Sequence, residues 1–299
     1  MMNSTTRGAG SLAAKAGIAT SVVVLGLITP AQANSANQAP AQAKAAVNLP
    51  ATVIPNRVMS WNSNGQKLST PQDIVDHIKR FRPQLVLLQE SCRTEVRKAV
   101  KFLNEIGFQY EFKLGPGTVN IGCDGWSMNG QAIVYAKGTP IQNYREVRYS
   151  DDEGPWETRA YTAFTTRLAG RQVRVFNTHL SDSGHVAERK TQVQELVAAG
   201  RRYGSTLLGG DFNAQPWYRE MRAIWDAQYS DVDPFCRKDW DRRCNGTQVG
   251  RNSGKKFDYI LHRGVNSRNC ILRTVNEDHR VVISDVTRAQ GPRTACSVT

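Results

Sequence analysis

What most limits the fold of this chain is a recurrence. Short apolar runs appear one after another, and each abuts a polar residue of a kind that can do chemistry. Arg57-Val58-Met59-Ser60-Trp61 stops at Asn62, and Leu85-Val86-Leu87-Leu88 stops at Gln89-Glu90. Val173-Arg174-Val175-Phe176 leads into Asn177-Thr178-His179-Leu180, and Leu207-Leu208 into Gly209-Gly210-Asp211-Phe212-Asn213. Asp258 stands just before Tyr259-Ile260-Leu261, and Asp278-His279 just before Val281-Val282-Ile283. Runs of this length and composition read as strands. At Gly209-Gly210 the backbone is freed for unusual conformations and close approach, so the spacing predicts a strand that ends at the glycines. Period-two alternation then sets Asp211 and Asn213 on one face and turns Phe212 into the core. One carboxylate or amide at a strand end is ordinarily a solvated or capping group. Several of them can share a rim only if the strands belong to sheets whose ends converge.

Helical signals fall between these runs. Ser69-Thr70-Pro71 supplies a capping residue followed by proline at the first helical position, and Ile74, Ile78 and Phe81 recur at helical spacing. Further helices are predicted over 94–106, 185–203 and 218–225, and strands over 110–113, 131–135, 161–168 and at Ile271-Leu272. A Gly- and Asn-rich loop is expected between 113 and 131, and another loop through Cys236 and Cys244. Many strands with few helices argue for two packed sheets with helices outside them, not a regular βαβ wheel.

The amino terminus carries Arg7 and Lys15, an apolar run from Ala16 to Ile28, then Pro30 and Ala31-Gln32-Ala33. This is the pattern of a secretory signal over 1–33, cleaved after Ala33, and the run is too short to span a bilayer. Residues 34–51, rich in Ala, Gln, Asn and Pro, read as a flexible leader. Residues 52–299 are expected to form one domain. The formal charge of +13 falls by two, to +11, if Arg7 and Lys15 leave with the signal. A basic exported protein expects an anionic partner: nucleic acid, anionic lipid or a phosphate-rich surface. Cys92, Cys123, Cys236, Cys244, Cys270 and Cys296 all follow the signal, so disulfides are the default. The sequence cannot select their pairing, and nearest-neighbour pairing is the working expectation. Without a C-x-x-C or a Cys/His cluster, a zinc site is not expected.

The polar set suits one chemistry. Phosphodiester hydrolysis needs a hard cation held by carboxylate oxygen, a base to make hydroxide, and donors for the charge that develops on phosphoryl oxygens. Ser60-Trp61-Asn62, Leu87-Leu88-Gln89-Glu90, Asn177-Thr178-His179-Leu180, Gly210-Asp211-Phe212-Asn213, Phe257-Asp258-Tyr259-Ile260 and Asp278-His279 occur in that order. In this, residues 56–288 resemble the endonuclease/exonuclease/phosphatase superfamily of DNase I-like proteins. The resemblance implies an α/β (α+β) four-layer αββα sandwich, two packed, mostly antiparallel sheets flanked by helices. It implies a divalent-metal phosphodiesterase using Mg²⁺, or Mn²⁺ or Ca²⁺. Glu90 would be the metal carboxylate, with Asn62 beside it and Asp278 contributing. Asp211 and Asn213 would position the attacking water and the phosphoryl group. His279 would be the general base, oriented by Asp258, and His179 a second histidine acting on the phosphate or leaving oxygen. Arg159, in Glu157-Thr158-Arg159, would contact phosphate, as would Asn62. Two departures stand out. Asn129-Gly130 replaces an acidic residue that in relatives partners the second histidine, which favours a hydrogen-bond donor role for His179. Asn64 stands where some relatives carry aspartate, which favours a weaker or single metal site.

For the substrate, the basic loop from Arg237 to Lys256 suits a secreted nuclease that neutralises backbone phosphates of DNA, or RNA, without reading sequence. Its basic residues are Arg237, Lys238, Arg242, Arg243, Arg251, Lys255 and Lys256. A sphingomyelinase-type phospholipid phosphodiesterase is the alternative, and would present an aromatic membrane-facing loop. Trp126, Trp156, Trp217-Tyr218 and Trp240 fall in predicted loops, although no contiguous apolar insertion accompanies them. An inositol-phosphate phosphatase is disfavoured, because Lys255-Lys256-Phe257-Asp258-Tyr259 replaces the motif expected there. A non-catalytic binding protein ranks last, since Glu90, Asp211, Asp258 and His279 are all present. The expected protein is a secreted monomer acting on nucleic acid, with membrane lipid as the partner under the alternative.

Overall fold

The computed structural model describes residues 48–299 apart from 66, 120–121, 125–126, 152–157, 183, 251–252, 276–277 and 292–293. The expected signal, most of the leader, Trp126, Trp156, Glu157 and Arg251 lie outside the described residues.

In chain order the elements are β1 (Ile54–Asn62), α1 (Pro71–Phe81), β2 (Pro83–Cys92), α2 (Arg93–Glu105), β3 (Tyr110–Val119), β4 (Met128–Ala136), β5 (Gln142–Arg148), β6 (Ala160–Leu168) and β7 (Arg171–His179). There follow α3 (Val186–Arg201), β8 (Thr206–Asp211), α4 (Arg222–Asp226) after a 3₁₀ turn, β9 (Ser230–Asp231), β10 (Asp258–Arg263), β11 (Asn266–Arg273), β12 (Val281–Thr287) and β13 (Ser297–Val298). One sheet has the order β13-β11-β12-β1-β2-β4-β3 and the other β5-β6-β7-β8-β10-β9.

Two parallel pairs and one antiparallel pair aim the polar strand ends. β1 and β2, joined through α1, run parallel and set Asn62 beside Gln89. β7 and β8, joined through α3, run parallel and set His179 beside Asp211. β10 returns antiparallel on β8, so its first residue, Asp258, lies opposite Asp211. The Thr70 expectation holds: its side chain accepts from Asp73 N while Asp73 Oδ2 accepts from Thr70 N at 2.8 Å.

Three apolar clusters separate four layers. Met59, Trp61, Val86, Leu88 and Val134 pack under Ile74, Ile78, Val96 and Leu103 of α1 and α2. Val58, Leu85, Leu87 and Ile133 face Phe164, Val173, Val175, Leu207 and Ile260 between the sheets. Phe176, Leu208, Phe212, Tyr259 and Leu261 pack against Val193, Leu196 and Val197 of α3. This is the expected helix–sheet–sheet–helix sandwich, mostly antiparallel. The alternation of β1, β2, β7 and β8 is weak because both faces of each strand are covered.

Some expected boundaries are wrong. β8 does not end at the glycines but continues through them to Asp211. Gly210 is needed there because a Cβ on it would lie 1.9 Å from the Thr178 carbonyl oxygen, and its φ is +142°. The neighbouring strand, not a ligand, makes the close approach. The segment expected as loop after Lys113 is the second half of β3, whose pairing shifts between Leu114 and Gly117 to absorb Gly115-Pro116. β5, unforeseen, is a largely exposed edge strand without apolar alternation. The helix expected over 218–225 is only a 3₁₀ turn and five α-helical residues. The disulfides are Cys92–Cys123, Cys236–Cys244 and Cys270–Cys296. Among the described residues no helix is long and apolar enough to cross a membrane.

Candidate active site

The strand ends gather Asn62, Glu90, His179, Asp211, Asn213, Asp258 and His279 on one rim. Asn62 links the two sheets: its Nδ2 donates to Glu90 Oε1 at 2.7 Å and to Asp211 Oδ2 at 3.0 Å. Its Oδ1 accepts from Asn64 N at 3.1 Å, so the amide sits as a donor between carboxylates. Glu90, Asn64 and Asn213 all have left-handed backbones, with φ of 48°, 44° and 49°. Such strain concentrates where a site needs a side chain aimed against local preference. At Glu90 the backbone carbonyl accepts from Asn129 Nδ2 at 2.9 Å and from Gly65 N at 2.9 Å.

Asp211 lies between two histidines. Its Oδ1 accepts from Asn213 N at 2.8 Å, and its Oδ2 is 3.7 Å from His179 Nε2 and 3.8 Å from His279 Nδ1. Burial above all, with the Asp258 charge adding to it, raises its pKa. Phe212 is turned into the core against Tyr259, as alternation requires.

Both oxygens of Asp258 lie 3.0 Å from His279 Nδ1. Burial lowers the His279 pKa, but Asp258 outweighs it, helped by Asp211 and Asp278, and the net direction is upward. The Gln248 amide lies 2.8 Å from the same nitrogen, and Gln248 forms an isolated bridge with His279. Gln248 gave no signal in the sequence, since it comes from the irregular loop and is brought in only by tertiary pairing.

His179 has a different environment from the one its relatives suggest. Arg159, buried at 4 % exposure, places Nη1 3.1 Å from His179 Nδ1. A guanidinium can only donate, so Nδ1 can bond it only as an acceptor, while Nε2 faces the Asn213 amide and lies 3.7 Å from Glu90 Oε1 and Asp211 Oδ2. Burial first, then Arg159 and His279, hold the His179 pKa well below its ordinary value. Asn129 occupies the departure noted in the sequence, but it serves the Glu90 backbone, not His179. Asn213 Nδ2 donates to the Leu180 carbonyl at 3.0 Å and lies 3.2 Å from His179 Nε2.

Among the described residues two clusters could hold a cation: Glu90, His179 and Asp211, and Asp211, Asp258 and His279. Asp278 belongs to neither; it reaches Asn64 Nδ2 at 3.4 Å and His279 Nε2 at 3.8 Å. The Oδ1 atoms of Asn64 and Asp278 are buried without hydrogen-bond partners. Anionic and orphaned oxygens at these strand ends suit a hard divalent ion.

The basic loop is less available than its composition suggested. Lys256 is buried and ion-paired with Asp231 at 3.2 Å, which removes it from the surface set. Arg243 pairs with Asp241 at 2.8 Å and lies over the Phe235 ring. Lys238 and Arg242 are exposed, as is Trp240, at 68 %.

No curated protein matches the chain. Among solved structures, an endonuclease/exonuclease/phosphatase from Beutenbergia cavernae DSM 12333 superposes with TM-score 0.61 at 21 % identity, over 79 % of this chain and 72 % of its own. The human Nocturnin catalytic domain with bound sulfate anion gives 0.62 at 18 %, over 79 % and 95 %. D. rerio TDP2 complexed with single strand DNA product gives 0.59 at 16 %, over 77 % and 98 %. At these identities the likeness is one of fold. The Endonuclease/Exonuclease/phosphatase family model matches residues 59–285, from within β1 to within β12, and so spans every strand end on this rim. The chain belongs to the endonuclease/exonuclease/phosphatase family.

Proposed function

We propose that this protein is a secreted, divalent-metal-dependent phosphodiesterase that hydrolyses the backbone of nucleic acid, DNA first and RNA second. The observation that carries this reading is the Asp211 junction, where Asn62 ties it to Glu90 and both histidines lie within 4 Å. The net positive charge supports an anionic polymer as substrate, and the TDP2 neighbour is complexed with single strand DNA product. Three disulfides support an oxidising destination, and the amino-terminal signal pattern supports export.

In this reading Glu90 anchors the ion, with Asn62 beside it and Asp278 contributing. When bound, the ion supplies charge neutralisation at the phosphoryl oxygens and offsets the carboxylate field around His279. His279, oriented by Asp258, takes the proton of the attacking water. Asp211 and Asn213 hold that water and a phosphoryl oxygen. His179, kept neutral by burial and by Arg159, donates to phosphate. Arg159 adds a fixed positive charge behind it.

A substrate panel of DNA, RNA and sphingomyelin, run with Mg²⁺ or Mn²⁺ and with a chelator control, tests the reading. The wild type should degrade nucleic acid only with metal. Glu90→Gln and His279→Ala should each lose about 100-fold or more. Wild-type rates in both variants would refute the site. Cleavage of sphingomyelin but not of nucleic acid would transfer the site to the phospholipid alternative.

A further inference from the structure

A cavity of about 480 Å³ lies on the outer face of strands β5 to β7, beside the end of α3. Along β7, Val173 and Val175 point between the sheets, while Arg174 and Phe176 point outward under α3. Arg174 is five residues from His179, about 17 Å of strand. Tyr161 pairs with Thr178 beside His179, but alternation puts the cavity on the outward face and His179 on the inward one, so the cavity is separate from the rim of catalytic residues.

Its lining combines Arg145, Arg174 and Arg202 with the rings of Tyr161, Phe176 and Tyr203. Among the described residues no aspartate or glutamate lines it, and none of the three arginines has an ion pair. Arg174 is the unusual member. It is 4 % exposed, and its Nη1 donates to the Asn143 carbonyl at 2.8 Å and to Thr165 Oγ1 at 3.3 Å. Its Nε is buried with no partner. Its guanidinium carbon stands 5.3 Å from the Tyr203 ring and 5.8 Å from the Phe176 ring. Burial, with the Arg145 charge adding to it, holds its pKa below the ordinary arginine value. A buried cation without a counter-ion, repelled by a second cation, is costly unless an anion completes the site. Guanidinium forks suit the oxygens of phosphate, and aromatic faces suit a flat base.

We propose that this cavity binds a nucleoside monophosphate, its phosphate on Arg145, Arg174 and Arg202 and its base against the exposed Tyr203 ring. Isothermal titration of the full protein in chelator-containing buffer tests this, using AMP, adenosine and inorganic phosphate as probes. AMP should bind at one site, at least about tenfold more tightly than adenosine or inorganic phosphate. Arg145→Gln/Arg202→Gln alters two exposed side chains and should fold normally by circular dichroism. It should weaken AMP at least about tenfold, and Arg174→Gln should do the same. Arg159→Gln, at the catalytic rim, should leave this binding unchanged. The proposal is overturned if the wild type does not bind AMP, or if inorganic phosphate binds as tightly as AMP. It is equally overturned if Arg145→Gln/Arg202→Gln binds AMP like wild type while Arg159→Gln does not.

Discussion

Replacing Lys256 with methionine keeps the length of the side chain and removes its charge, leaving Asp231 alone in the interior. The pair has 1 % and 0 % side-chain exposure and a 3.2 Å separation. Even with the lysine present, burial raises Asp231 from 3.8 to about 6, against the lowering effect of Lys256. Removing one partner of a buried pair costs about 3–5 kcal/mol. The orphaned carboxyl can escape that cost by taking up a proton, at about 1.4 kcal/mol for each pH unit above its ordinary value. At pH 8 that route is no cheaper than the buried charge. At pH 5 it limits the loss to about 2 kcal/mol. The sign follows from proton binding. A carboxyl with a raised folded pKa binds more protons when folded, so stability falls as pH rises, and the variant makes that fall steeper. Urea unfolding at pH 5 and pH 8 should therefore show Lys256→Met losing about 3–5 kcal/mol at the higher pH and roughly half of that or less at the lower. Lys256→Met/Asp231→Asn, which neutralises both ends, should recover most of the loss at pH 8. Equal losses at the two pH values, or a loss below about 1 kcal/mol at pH 8, would refute the reasoning.

Gly210→Ala should destabilise by about 3 kcal/mol or more in the same assay, because its Cβ would meet the Thr178 carbonyl at 1.9 Å in a left-handed backbone. Gly204→Ala, with nothing within 4 Å, should be nearly neutral, and similar losses at both positions would contradict the account. His77, edge-on to Trp61 at 4.8 Å, is lowered to about 4, chiefly by burial. Its unfolded form binds more protons between pH 6.5 and 4, so its contribution is complete above pH 6.5 and declines by about 3 kcal/mol towards pH 4. His77→Phe should remove that decline, and stability profiles that run parallel in acid would show that His77 does not drive it.

The strands that carry the chemistry were legible in the sequence because each couples an apolar run to a polar stop. Asn62, Glu90, His179, Asp211, Asp258 and His279 could be nominated on that basis, and all of them reach one rim. β5 was illegible because an exposed edge strand carries no burial pattern, and the second half of β3 because Gly115-Pro116 looks like a turn until the pairing shift absorbs it. The count of basic residues in the loop overstates its surface charge by Lys256, which is buried against Asp231 where no local pattern shows it.

By itself, then, the sequence determined the order of the polar-stopped strands, the cap at Thr70 and the set of residue types from which a phosphodiester site can be built. These depend on local periodicity and on side-chain chemistry, which a linear string preserves. Only the tertiary structure decided that Arg159 stands against His179 Nδ1, and that Asn129 steadies the strained Glu90. It likewise decided that Gln248 reaches His279, and that three arginines share a cavity with no acidic lining residue among the described residues. Those pairings join residues from different strands and loops, and their partners are chosen by sheet register and packing, which no local pattern encodes.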